Sequence, residues 1–178
     1  MQIRQLSQVM ATKELRPLSG PTMIFGPDDM RPLQVPHNDP LVVQLKIATA
    51  LVRRVLINTG SSVDIITLEC FKKLHYSEED LEVTNTPLVG FGGQHIYPVG
   101  VKKLTVRVGE KDNSRTVDVN FLVVDVPMAY NVIIGRPTLS MLKVVVAPYL
   151  LLMQFELDDG GGWKSIWRSE DGSGMLLC

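Results

Sequence analysis

The most constraining stretch of this chain is Val55-Leu56-Ile57-Asn58-Thr59-Gly60-Ser61-Ser62-Val63-Asp64-Ile65-Ile66. An apolar run stops abruptly at three polar or small residues, and a second apolar run begins soon after. Each run is too short for a helix and rich in β-branched residues, so each reads as a buried strand. The turn between them delivers Asn58 at a strand end, with Gly60 free to accept a close backbone approach. Such a pattern demands a sheet buried on both sides of the turn, and the rest of the chain must supply it.

It does so with strands. Leu41 to Ile47 and Ala50 to Ile57 read as two strands, and Val63 to Thr67 as a short third. Lys103 to Val108 and Arg115 to Asp125 alternate in polarity and are expected to pair antiparallel across the turn Gly109 to Ser114. Tyr130 to Ile134, Val144 to Val146 and Leu150 to Phe155 follow as further strands. Apolar residues recur at helical spacing in Leu68 to Leu74. Arg136 to Leu142 suits a second short helix, with Pro137 in its first turn. Leu88 to Gly100, with Gly90, Gly92 and Gly93, is expected to be a glycine-rich hairpin or loop. The fold class is therefore mainly β, a closed or partly closed barrel with one or two short helices.

The ends differ in character. Residues 1–21 form an extended lead-in, and prolines punctuate the chain up to Pro40. One short strand is expected at Thr22 to Phe25. Residues 158–178 read as a flexible glycine-rich tail outside the core, which leaves 22–157 as the folded domain. A net charge of −1 and an aromatic content of 6 % give no electrostatic or stacking surface for nucleic acid. No secretory signal and no apolar run of membrane-spanning length is visible, so an intracellular, cytoplasmic chain is expected.

Other candidate sites are weak. Gly90-Phe91-Gly92-Gly93-Gln94-His95 lacks the third glycine and following helix of a dinucleotide loop. His37, His75 and His95, with Cys70 and Cys178, have no metal-ligand spacing, so neither metal nor cofactor is expected. Ser61 and Ser62 sit in no nucleophile elbow. Asp64 and Asp125 read as structural or surface carboxylates. Asp171-Gly172-Ser173-Gly174 lacks a preceding apolar strand and is a poor second loop.

With aspartate at position 58, the central stretch would be the strand–Asp–Thr–Gly loop of aspartic proteases. Further blocks carry the likeness: Pro36 to Val43, Arg53 to Ile57, Gly60 to Ile65, Asn85 to Phe91, Phe121 to Val124, and Tyr130 to Leu139. In that order and spacing they resemble the retropepsin-like protease segment of plant gypsy-class long-terminal-repeat retrotransposon polyproteins. The resemblance implies an acid-protease barrel with one lobe per chain, completed by a two-fold homodimer. It places Asn58, Thr59 and Gly60 at the catalytic position, and Thr59 is expected to anchor the loop by hydrogen bonds. It also implies a flap at Gly90 to Gly100, with Ser61, Phe91, Gly92 and Gly93 against a peptide or polyprotein substrate held in extended form. Ile133-Ile134-Gly135-Arg136 would support the loop from behind. Asn58 departs from the pattern, because an amide does not titrate. The expected protein is an endopeptidase domain without activity; the alternative is a non-catalytic dimerising module that binds extended peptides.

Overall fold

The computed structural model describes residues 22–26, 38–90, 93–110, 113–157 and 162–167. Its centre is a closed six-stranded barrel in the order β1-β2-β8-β3-β7-β6. The strands are β1 (Val42–Ile47), β2 (Ala50–Ile57), β3 (Asp64–Thr67), β6 (Gly100–Glu110), β7 (Asn113–Val124) and β8 (Val132–Ile134). Their β-branched residues fill the interior: Val43, Ile47, Val52, Val55, Val106, Val119, Val123 and Val132 are fully buried. Each such side chain stabilises the fold by roughly 1.5–3 kcal/mol relative to an exposed position.

Two helices pack on the barrel. In α1 (Leu68–Lys73), the Thr67 side chain accepts from Cys70 N–H at 3.2 Å and caps the first turn. α2 (Arg136–Met141) carries Pro137 in its first turn, as expected. A small hairpin joins β4 (Leu88–Val89) to β5 (His95–Ile96). Beyond the barrel, β9 (Val144–Ala147), β10 (Leu152–Glu156) and β11 (Trp163–Trp167) form a separate antiparallel sheet with β10 in the middle.

Several expectations need correction. Thr22 to Phe25 is not a strand. The tail contains β11, which pairs residue by residue with β10, and Ile166 packs against the core. That part of the tail is folded, because Ile166 has an apolar surface to cover; residues 168–178 lie outside the described set. β6 and β7 run further than their apolar alternation suggested, staying paired from Gly100↔Val123 to Glu110↔Asn113.

Two local devices aim β2. The β1–β2 turn holds Ala48 at φ 52, where its N–H donates to Thr105 O at 2.8 Å. That bond to β6 offsets the cost of a left-handed alanine. Further along, β2 carries an extra residue opposite β1, between the pairs Val43↔Val55 and Leu45↔Val52. Arg54 takes this bulge at φ 58. Buried Asn131 holds it from both sides: its Nδ2 donates to Arg53 O at 2.9 Å, and its N–H to Arg54 O at 3.1 Å. The Arg54 guanidinium donates to Ala129 O. The bulge turns Val55 and Ile57 inward, and β2 ends against β8 through the parallel pair Ile57↔Ile134.

Candidate active site

The end of β2 is the candidate site. Asn58 O accepts from Ser61 N–H at 3.1 Å, closing a four-residue turn. Within it the Asn58 side chain folds back, and its Oδ1 accepts from Gly60 N–H at 3.0 Å. This bond fixes the orientation of the amide, since only the oxygen can receive an N–H. A side chain on Gly60 would sit 3.2 Å from that oxygen, so glycine leaves room for the inward fold. Ser61 Oγ donates to Val63 O at 2.7 Å and completes the exit into β3.

The backbone of this turn is pinned from behind by Ile134, Gly135 and Arg136. Asn58 N–H donates to Ile134 O at 2.9 Å, and Arg136 N–H to Ser61 O at 2.9 Å. The Arg136 guanidinium reaches over the turn to Gly60 O at 3.1 Å and Thr59 O at 3.4 Å. Gly135 must be glycine for a steric reason: a Cβ there would lie 2.3 Å from Val63 O and 2.9 Å from Ser61 O.

Asp64 closes the arrangement. It is 3 % exposed, which corrects its reading as a surface carboxylate and leaves the structural one. Its Oδ1 accepts from Gly135 N–H at 2.7 Å. Burial pushes its carboxyl above the ordinary value of 3.8, opposed by hydrogen bonds from Gly135 and Thr138. The Thr138 hydroxyl is fully buried beside it, with no partner of standard geometry among the described residues.

Asn58, Thr59, Gly60 and Ser61 therefore share one turn. Thr59 anchors that turn through its carbonyl, and its side chain makes no hydrogen bond among the described residues. Gly93 lies elsewhere, at φ 78 in the β4–β5 hairpin, where its N–H donates to Gly90 O at 3.1 Å. Phe91 and Gly92 lie outside the described residues, as does the weak rival loop at Asp171. Asp64 was legible in the sequence as a structural carboxylate, but its burial against Gly135, behind the turn, was not. Its position one residue past an apolar valine, at the start of a strand, was the available signal.

Chemically, one such turn offers a polar group at the end of a strand, on a rigid backbone. Asn58 is partly exposed and carries no charge to gain or lose. No helix among the described residues is long and apolar enough to cross a membrane.

No family model matches the chain. No curated protein matches it either. Among solved structures, it is similar to the EIAV protease in complex with the inhibitor HBY-793, at 21 % identity and TM-score 0.44, over 65 % of this chain and 99 % of that one. It is similar to the retroviral protease-like domain of Ddi1 from Leishmania major, at 14 % identity and TM-score 0.49, over 69 % and 88 %. A retropepsin-like aspartic protease from Rickettsia conorii is similar at 17 % identity and TM-score 0.47, over 61 % and 76 %. These three solved chains are, by their descriptions, a viral protease, a retroviral protease-like domain and a retropepsin-like aspartic protease.

Proposed function

We propose that this chain is a retropepsin-like aspartic endopeptidase domain, residues 22–157, of a plant gypsy-class retrotransposon polyprotein, silenced by Asn58. The observation that carries the reading is the Asn58–Ser61 turn. It is held by backbone bonds at the end of an apolar strand, with an amide where an acid-protease loop would carry its acid.

In the working arrangement two lobes face each other in a homodimer. Two close carboxyls share one proton; the ionised one draws a proton from water while the other donates to the peptide carbonyl. Asn58 ends this chemistry. Its Oδ1 is engaged by Gly60 N–H, and its Nδ2 can donate but cannot accept a proton. A carboxylate in the same place keeps the Gly60 bond and turns a second, basic oxygen toward the cleft. The substrate is an extended peptide, in the first instance the polyprotein itself inside the cell.

A second reading is a non-catalytic dimer that holds extended peptides. It is favoured by the completeness of the turn, whose hydrogen bonds need no acid. A peptide-cleavage assay separates the two. Cleavage by Asn58→Asp and none by the unaltered chain supports the silenced protease. Peptide binding without cleavage by either supports the second. Sedimentation over a range of concentrations tests the homodimer.

A further inference from the structure

The framework behind the turn depends on a residue outside it. α2 begins at Gly135, which has no side chain to cap the helix and, with Val63 O 2.3 Å from its would-be Cβ, cannot carry one. Capping must come from another element. Asp64, at the start of β3, supplies it: Oδ1 takes Gly135 N–H at 2.7 Å. The neighbouring groups on the same segment hold the Asn58 turn, namely Ile134 O, Arg136 N–H and the Arg136 guanidinium.

We propose that Asp64 is a positioning residue for the Asn58 turn, acting through Gly135 to fix the segment on which that turn rests. It acts at one remove. Asp64 makes no hydrogen bond to residues 58–61, and it is too buried to meet a substrate. Removing its oxygen leaves Gly135 N–H, on a buried segment, without an acceptor. Arg136 is then free to swing, and the Ser61 and Thr59 carbonyls lose their fixed donors. The inference rests on the reading of the Asn58 turn as the site, and its test has an arm independent of cleavage.

Amide hydrogen exchange is measured on the unaltered chain and on Asp64→Asn, Asp64→Ala and Asp64→Ser. The probes are Ser61 and Arg136 N–H in the site, with Val106 N–H in the barrel as reference. Asparagine keeps an oxygen for Gly135, so exchange in Asp64→Asn stays within about 3-fold of the unaltered chain. Alanine has no acceptor and serine falls short of it. In these, exchange at Ser61 and Arg136 speeds up by about 10- to 100-fold beyond the change at Val106. In the Asn58→Asp background, Asp64→Ala lowers kcat more than it raises KM. Equal acceleration at all three probes overturns the proposal, as does loss of protection in Asp64→Asn, or failure of both Asp64→Ala and Asp64→Ser to fold. If Asn58→Asp cleaves nothing, the protease reading fails while the exchange result still stands.

Discussion

The Asn58–Ser61 turn and the β4–β5 hairpin are both short reversals, yet they are built in opposite ways. The turn is held through its backbone by Ile134 and Arg136 and through its own side chains. The hairpin rests on the register pairs Leu88↔Ile96 and Val89↔His95, with Val89 65 % exposed and Tyr97 71 % exposed just beyond it. One is fastened to the barrel; the other stands off it. The difference lies in what fixes each reversal: bonds to the barrel for the turn, and pairing between its own two strands for the hairpin.

The largest effect expected from this contrast is in the turn. If its framework is ready for catalysis, Asn58→Asp alone should raise peptide cleavage by at least about 10²- to 10⁴-fold over the unaltered chain, read in a continuous peptide assay. A carboxylate that restores nothing would show that rigidity is not readiness. Next comes the rear support. Gly135→Ala forces a methyl into the Val63 and Ser61 carbonyls. It should lower unfolding free energy by about 1–3 kcal/mol or more in chemical denaturation.

Asp64 gives a smaller effect whose sign depends on pH. Its folded carboxyl titrates above 3.8 because of burial. Between 3.8 and that raised value the folded chain therefore keeps a proton that the unfolded chain has released. The stability contributed by this group is fully present below 3.8 and is lost as pH rises through the folded value. Asp64→Asn has no proton to lose. Its melting temperature relative to the unaltered chain should rise as pH climbs through that window and then level off, and a falling difference would refute the assignment. Smallest is the hairpin. Val89→Thr on its exposed face should change stability by no more than about 0.5 kcal/mol, while weakening any extended peptide that binds there. A large loss of stability would erase the contrast between the two regions.

Much of the barrel was legible because its strands alternate or run apolar, and because Asn58-Thr59-Gly60 interrupts them. The bulge at Arg53–Arg54 was not. Arginine carries no turn signal, and the left-handed Arg54 is held by Asn131, a residue far away in sequence. For Asp64 the sequence left structural and surface readings open, because its burial depends on the Gly135 N–H, which only the folded chain brings near. In β11, Trp163-Lys164-Ser165-Ile166-Trp167 has no apolar alternation, and the surrounding glycines argued for a loose tail. The turn itself was legible as a position, whereas the inward fold of the Asn58 amide is a property of its geometry.

The barrel closes on itself, but the sheet of β9, β10 and β11 does not. Every barrel strand has a neighbour on each side, although β6 meets β1 only at Val106 and Arg107. β9 and β11 each spend only one side on β10. Among the described residues, fibre growth or strand exchange is expected to begin at open borders, those of β9 and β11 and of the two-residue strands β4 and β5, rather than in the barrel.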